Sequence, residues 1–481
     1  MVYNGIKALV MGLGLHGGGL ETARFLLKRR ADVTVTDLRD EKTLQMSIEK
    51  LDSFCCESGL EKVRYILGKH EIDDFKNADI VIKNPGVRPD SPFLKAAKHI
   101  ETDISLFLSA SRARLYAVTG TKGKSSTASA LHWILQSCRS ENTEYKGKAM
   151  LGGNITVSPL SFIDELNEND DVVLELSSFQ LGDLKGRKTP DGAALLKPAA
   201  SVITAIMRDH LDRYASMEEY VDDKRTIYRG QDQNCVTAAG CDIWGNSFLS
   251  ETKGRPLVYS SCALKEGQSG GWLEDGCGVA RLLNWKNTAD KKELLVPEHI
   301  SVEGEHQKLN LLAASLLAYS TGFKAENIHS ALLNFKGIEH RLEFFHESKG
   351  VRFYNDSAAT IPEAAAACIE ALSSKADLVL VTGGTDKNLN FSPLAQTAAK
   401  AKKIILLAGS GSEEIIRELN KEGISYSGPF DDLDRAVSCA AEKAHKGGIV
   451  ALSPGCASFG MFLNEFDRGR KWKEAVIKIT G

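Results

Sequence analysis

Short runs of valine, isoleucine, leucine and alanine recur along the chain and alternate with segments of helical period. That alternation predicts βα units assembled into parallel sheets. Ala8–Leu15, "DVTVTD" ending at Asp37, Leu115–Val118, the stretch 172–176 and the start of "SVITAIMRDHLDRY" at Ser201 read as strands. Several apolar runs end in glycine-rich turns: "ALVMGLGLHGGG", "LYAVTGTKGKSS", "LVLVTGGTDK", "IILLAGSG" and "IVALSPGCAS". Helical patterns follow in "STASALHWIL", "MEEYVDDKRTIYRG", "QKLNLLAASLLAYS" and "AENIHSALLNF". The polar, helical "ETDISLFLSASRAR" closes near Ser111–Ala113, which sets one domain boundary; a second falls near Gly337. The expectation is an α/β chain of three domains: 1–112, 113–337 and 338–481. The first and last would be Rossmann-like. The central one would carry a P-loop-type parallel sheet, with the Gly-, Ser- and Trp-richer stretch Asn234–Glu303 as a small β insertion at its edge.

Length agrees with that division, since 481 residues exceed one core. Lys plus Arg number 60 and Asp plus Glu 63, a net charge of −3, with no basic stripe or like-charge block. Nucleic acid and anionic membrane surfaces are therefore not expected partners. The ten cysteines form no C-x-x-C pair, which suits reduced thiols in a cytoplasmic protein. No stretch approaches the roughly 18 uninterrupted apolar residues of a membrane span. The early apolar run dissolves into Gly17, Gly18 and Gly19, as a strand entering a glycine loop does and a signal peptide does not.

One strand breaks its own pattern. In "DVVLELSSFQL" (171–181), Glu175 sits among Val172, Val173, Leu174 and Leu176. Buried carboxylates are rarely unpaired, so Glu175 must be neutralised by a partner or hold a cation. A candidate ligand lies close in the pattern. "YAVTGTKGKSS" places Gly120, Thr121, Lys122, Gly123, Lys124, Ser125 and Ser126 between a strand and a helix. Glycines let backbone N–H groups curl around phosphates, the helix N-terminus adds positive potential, and lysine reaches the outer phosphates. The Ser125 hydroxyl suits Mg²⁺. The usual P-loop glycine is replaced by Val118, so this is a shortened variant.

The loop after the second apolar strand carries Asp209, His210, Asp212 and Arg213, and Lys224 follows on the next helix. Parallel sheets deliver strand ends to one edge, so Glu175 and His210 would converge on the phosphates beside Lys124 and Ser125. Carboxylate and phosphate oxygens suit Mg²⁺, with imidazole as an added ligand. A second nucleotide signature, G-x-G-x-x-G at Gly12, Gly14 and Gly17 with Asp37 after the next strand, would by itself fit a nicotinamide dehydrogenase.

Taken together these motifs resemble the Mur ligases, ATP-dependent enzymes of peptidoglycan precursor synthesis. The resemblance also rests on "NPGV" (84–87), "LGGN" (151–154), "GEHQKLN" (304–310), "EHR" (339–341), "NDSAAT" (355–360), "GGTDK" (383–387) and "SPGCAS" (453–458). "ELSSFQL" points to the members that add D-glutamate to UDP-N-acetylmuramoyl-L-alanine. The resemblance implies an N-terminal domain for the UDP-sugar, a central one for ATP and a C-terminal one that brings the amino acid. ATP would phosphorylate the substrate carboxylate, and the D-glutamate amine would displace phosphate from the acyl phosphate.

By matching positions, Lys124 would hold the outer phosphates, Ser125 and Glu175 one Mg²⁺, and His210 and Lys224 a second, with Lys224 carbamylated into an anionic ligand. Asn154, Asn310, Arg341 and Asp356 would contact ATP or the transferring phosphate. Leu15, His16, Asp37, Arg39, Asn84 and Gln180 would bind the UDP-sugar, with Asn154 also on that side. Thr360, Lys387 and Ser458 would hold D-glutamate. Lys122, Gln307, Ala358 and His16 depart from residues common in the family. A monomer without nucleic-acid or membrane partners is expected. Rival readings are another Mur-type or folate-polyglutamate-type ligase, the dehydrogenase, and a nucleotide-binding regulator without catalysis.

Overall fold

The computed structural model describes residues 3–14, 17–141, 144–155, 157–209, 213–285, 290–302, 304–386, 389–458 and 460–481. Leu15, His16, His210 and Lys387 lie outside the described residues. The chain forms two compact units. The first holds residues 1–298 and 306–332, the second residues 299–305 and 333–481.

The first unit contains two sheets. One has five parallel strands, β1 (Lys7–Met11), β2 (Asp32–Asp37), β3 (Arg64–Leu67), β4 (Ile80–Lys83) and β5 (Ile100–Glu101), in the order β3-β2-β1-β4-β5. The order in which successive strands are added reverses between β1 and β4, and at such a switch point the loops separate and leave a crevice. Gly12 after β1 and Asn84 after β4 face each other there. Gly19, in the helix that follows, cannot be larger: a Cβ would stand 2.1 Å from the Gly12 carbonyl oxygen. This close approach lets helix Gly18–Lys28 pack onto β1.

The second sheet has nine strands: β6 (Arg114–Thr119), β7 (Ala149–Gly153), β8 (Asp171–Glu175), β9 (Ala200–Ile203), β10 (Val236–Gly240), β11 (Arg255–Ser260), β12 (Gly270–Glu274), β13 (Cys277–Arg281) and β14 (Glu293–Val296). Their order is β14-β13-β12-β11-β10-β9-β6-β8-β7. The segment 234–303 is thus no separate body. β10 and β11 continue the parallel sheet, with helix Ile243–Glu251 between them, and β12–β14 close its edge as an antiparallel meander. β6 runs between β8 and β9, pairing Val118 with Glu175 and Thr119 with Ile203. β8 is buried along its whole length, and Val172 and Leu174 join a core shared with the five-stranded sheet.

The second unit is a six-stranded sheet of β15 (Glu343–Ser348), β16 (Val351–Asn355), β17 (Leu378–Thr382), β18 (Lys403–Leu407), β19 (Tyr426–Phe430) and β20 (Ile449–Leu452), ordered β15-β16-β20-β17-β18-β19. All neighbours are parallel except β15 and β16. Alternate residues feed a core on each face, which is why these strands read as continuous apolar runs. Among the described residues, no helix is long and apolar enough to cross a membrane.

Candidate active site

The loop after β6 enters helix Lys124–Glu141, whose first N–H groups have no intrahelical acceptor. Gly123 has φ 90°, and a Cβ there would stand 2.4 Å from Asn310 Oδ1. Asn310 therefore lies directly against the loop, brought there by the distant helix Glu305–Ser320. Thr121 ties the loop to the segment after β9. Its N–H donates to the Ala205 carbonyl at 2.9 Å, and its hydroxyl accepts from Met207 N at 3.1 Å. That hydroxyl also bonds the Tyr220 hydroxyl at 2.9 Å. Lys124 Nζ folds back to donate to the Thr121 carbonyl at 2.9 Å. Lys122 is exposed, while Ser125 and Ser126 are half-buried.

Glu175 ends β8 beside this loop and is 1% exposed. Its Oε1 accepts from Asn154 Nδ2 at 3.0 Å. Its Oε2 is buried with no hydrogen-bond partner among the described residues. A buried carboxylate oxygen left open costs several kcal/mol unless a cation meets it. This oxygen, and the Ser125 hydroxyl in the first turn of the helix that follows β6, are donors of the kind a hard divalent cation such as Mg²⁺ takes.

Lys224 lies on helix Met217–Arg229 and is 1% exposed. Its Nζ donates to the Gly120 carbonyl at 2.8 Å and sits 4.4 Å from the centre of the Tyr220 ring. Burial, reinforced by the charge of Lys124 and opposed by Asp209 and Asp223, lowers its pKa to about 7. A substantial part of this lysine is therefore a neutral amine near neutral pH. The local sequence, with Asp222 and Asp223 alongside, resembles a solvated helix face; burial of Lys224 itself is a tertiary effect that the spacing does not reveal.

Between the two sheets opens a cleft of about 490 Å³ lined by Asn84, Asp103, Lys124, Asn154, Gln180 and Lys224, among others. Asn84 Oδ1 accepts from Gly86 N at 3.0 Å, fixing the loop after β4. Gln180 and Ser177 form a reciprocal capping box at the start of helix Ser178–Leu184. This uses Gln180 Oε1 and leaves its amide nitrogen without a protein acceptor among the described residues. Asp37 and Arg39 stand at the end of β2. The Asp37 carboxylate turns inward, accepting from Gly14 N at 3.1 Å and Arg39 N at 3.0 Å, so it shapes the glycine loop.

Three features of this cleft escape sequence reading. Lys83, at the end of β4, donates to both oxygens of Asp183 at 2.6 and 2.5 Å, and both residues are nearly buried. Arg213 stacks 3.8 Å over the Phe179 ring beside the carbonyls of residues 85–87. Asp103 has its carboxyl pushed up to about 6, chiefly by burial. The Lys83–Asp183 pair and the Arg213 stack link sequence-distant segments that only the fold sets side by side, and the burial of Asp103 is likewise a tertiary effect.

In the second unit, Asp356, Thr360 and Ser458 lie on loops leaving the C-terminal ends of β16 and β20. Burial pushes the Asp356 carboxyl up to about 6, although Ser453 Oγ donates to it at 2.7 Å and Leu342 N at 3.1 Å. Arg341 is exposed, whereas Ser458 is buried and Thr360 half-buried. The 383–386 loop joins them through reciprocal backbone bonds between Thr385 and Ala457, at 2.9 and 3.0 Å.

Comparison with known proteins returns one family along the whole chain. Residues 6–105 match the Mur ligase MurD-like N-terminal domain. Residues 118–318 match the Mur ligase middle domain, and 340–456 the Mur ligase glutamate ligase domain. A UDP-N-acetylmuramoylalanine–D-glutamate ligase of Borreliella afzelii is 39% identical over 476 residues, covering 98% of this chain and 97% of that one. Its namesake in Treponema pallidum is 37% identical over 537 residues, covering 98% and 97%. Among solved structures, the UDP-N-acetylmuramate-alanine ligase of Thermotoga maritima superposes with a TM-score of 0.58 at 19% identity, covering 98% and 99%. A MurF ligase of Thermotoga maritima in complex with ADP gives 0.54 at 17%, covering 99% and 96%. These two likenesses bear on the fold.

Proposed function

Because the chain belongs to the Mur ligase family, we propose that it joins D-glutamate to UDP-N-acetylmuramoyl-L-alanine at the expense of ATP, in peptidoglycan precursor synthesis. A carboxylate is a poor acyl donor at neutral pH. Its oxygen attacks the γ-phosphorus of ATP, giving an acyl phosphate and ADP. The D-glutamate amine then adds to the acyl carbon, losing a proton, and phosphate departs. The protein's part is positioning and charge neutralisation.

The observation that carries this reading is the open Oε2 of Glu175 beside a phosphate-type loop. Lys124 and the backbone of Gly120–Ser126 hold the triphosphate, with Asn310 bracing Gly123. Glu175 and Ser125 hold Mg²⁺, which supplies charge neutralisation at the phosphates. His210 and Lys224 serve a second ion. The neutral fraction of Lys224 supports its carbamylation: the amine adds to CO₂, a C–N bond forms, one proton leaves, and a cation becomes an oxygen ligand.

Asn84, Asn154, Gln180, Leu15, His16 and Arg39 line the UDP-sugar side, with Asp37 shaping its loop. Arg341 and Asp356 serve the phosphate, and Thr360, Lys387 and Ser458 the amino acid. The boundaries 1–112, 113–337 and 338–481, a monomeric state and a cytoplasmic location complete the reading. The inward-turned Asp37 favours it over a nicotinamide dehydrogenase, which would need that carboxylate for a ribose.

The test is phosphate release from ATP and Mg²⁺ with UDP-N-acetylmuramoyl-L-alanine, adding amino acids singly. Release is expected only when both the UDP-sugar and D-glutamate are present. Release with a different amino acid would reassign the second unit's pocket, and none with any pair would overturn the ligase reading.

A further inference from the structure

The second unit buries a charge that it does not neutralise. Arg468 stands in the first turn of helix Glu465–Thr480 and is 1% exposed. Its guanidinium meets only neutral acceptors. Nε donates to Ser357 Oγ at 3.0 Å, Nη2 to the Ser357 carbonyl at 2.9 Å, and Nη1 to the Cys456 carbonyl at 3.1 Å. Its acidic neighbour Asp467 pairs elsewhere, with Lys471 at 3.0 Å and Arg470 at 3.9 Å. The other titratable groups facing it are Glu465, Asp356 and the Cys456 thiol, none of them in ion-pair contact among the described residues. Burial holds that thiol at about 12, so it is neutral; Asp356, pushed up only to about 6, is largely ionised above neutral pH but makes no ion pair with the guanidinium among the described residues.

Local preference opposes a cation here twice. The first turn of a helix favours acids, and an unpaired buried charge costs several kcal/mol. A lysine could escape by losing its proton. Arginine remains charged even with its pKa lowered to about 10. Residues that break local rules in this way mark functional sites.

The position indicates which function. Ser357 and Cys456 belong to the loops after β16 and β20, and Nη1 lies 3.5 Å from where a Cβ on Gly384, in the loop after β17, would stand. Three ligand-bearing loops thus share one buried cation at the C-terminal edge of the sheet.

We propose that Arg468 is a positioning residue of the amino-acid pocket, fixing these loops and supplying the positive field that favours a dicarboxylate acceptor. This rests on the amino-acid-binding reading of the second unit. The field acts on a dianionic substrate across the loops, without direct contact.

The test compares Arg468→Gln with Arg468→Lys in the full-length enzyme, measuring kcat, the KM values of D-glutamate, ATP and UDP-N-acetylmuramoyl-L-alanine, and the thermal midpoint. The Gln variant, which keeps two N–H donors and loses the charge, should raise the D-glutamate KM about 30-fold. Its kcat and other KM values should stay within about threefold. The Lys variant loses the fork and keeps its charge only below its own lowered pKa, so for D-glutamate it should stay within about fivefold of wild type at pH 6 and approach the Gln variant at pH 9. Equal KM increases in the two variants at pH 6, each relative to wild type at that pH, or a fall in kcat alone, would overturn the charge role. Should Arg468→Gln fail to fold, Arg468→Lys decides, and a KM increase of about 30-fold already at pH 6 would overturn it. Wild-type enzyme showing no D-glutamate-dependent phosphate release would instead overturn the functional reading, and this inference with it.

Discussion

Lys224 in the first unit and Arg468 in the second are both 1% exposed and both donate to loop carbonyl oxygens. Burial moves them differently. The lysine falls to about 7, within reach of losing its proton, while the arginine stays at about 10 and keeps its charge. A compact ammonium loses more solvation than a delocalised guanidinium, so desolvation neutralises one and leaves the other charged. The proposed roles would use this contrast. The first calls for an amine that can react and become an anionic ligand; the second calls for a fixed positive field. A third buried cation, Lys83, shows the ordinary arrangement, with Asp183 accepting its charge directly.

The sharpest way to break the contrast is to exchange the cations. Lys224→Arg keeps a positive charge but cannot present a neutral amine. Turnover should fall at least about 1,000-fold, a loss near 4 kcal/mol of transition-state stabilisation. Bicarbonate should not restore it, and the thermal midpoint should stay close to wild type. Lys224→Ala should lose as much and regain part of its activity with a short carboxylic acid, which can fill the space as an anionic ligand. Substantial turnover in Lys224→Arg would show that the amine is not the reacting form.

A paired cation should respond in stability instead. Asp183→Asn strips Lys83 of its anion inside the first unit. Removing one partner of a buried pair costs about 3–5 kcal/mol. Burial already lowers the Lys83 pKa despite its partner, so without Asp183 the lysine should give up its proton more readily. The destabilisation should therefore be larger at pH 6 than at pH 9, read by denaturant midpoints. A variant as stable as wild type at both pH values would mean that this pair contributes nothing net.

How much of this was legible in the chain depends on the distance over which each feature is encoded. β8 and its misplaced Glu175 are local: four apolar residues, Val172, Val173, Leu174 and Leu176, around one carboxylate and an "SS" turn suffice. The phosphate loop is equally local, since glycine, lysine and serine spacing carries its chemistry. The open Oε2 of Glu175 could not be read, because it depends on which side chains fail to reach it. Asn310 against Gly123 joins positions far apart in the chain, and its "GEHQKLN" context signals only family resemblance. Arg468 lies in a helix start, "NEFDRGRKW", that reads as a charged, solvated surface; its burial follows from three loops closing over it. The edge meander β12–β14 was visible as short strand-like pieces, but its continuity with the central sheet needed the register of β11 on β12.

The smallest expected effect concerns Asp356, one of the acidic groups facing the second cation. The Asp356 carboxyl is buried and raised from 3.8 to about 6, so burial outweighs the hydrogen bonds from Ser453 and Leu342 and the attraction of Arg341. A carboxyl with a raised folded-state pKa contributes stability that is fully present below its unfolded value. That contribution is lost as pH rises through about 6. Over that window wild type should lose roughly 3 kcal/mol relative to Asp356→Asn. The asparagine keeps an oxygen for Leu342 N and a donor for the Ser453 hydroxyl, yet has nothing to ionise. Thermal midpoints of the two proteins between pH 4 and pH 8 should therefore diverge, with the variant gaining at the alkaline end. Parallel curves would place an effective counter-charge beside Asp356. Were that counter-charge Arg468 rather than Arg341, the buried cation would be neutralised within its own unit, and its field would no longer be available to a dicarboxylate.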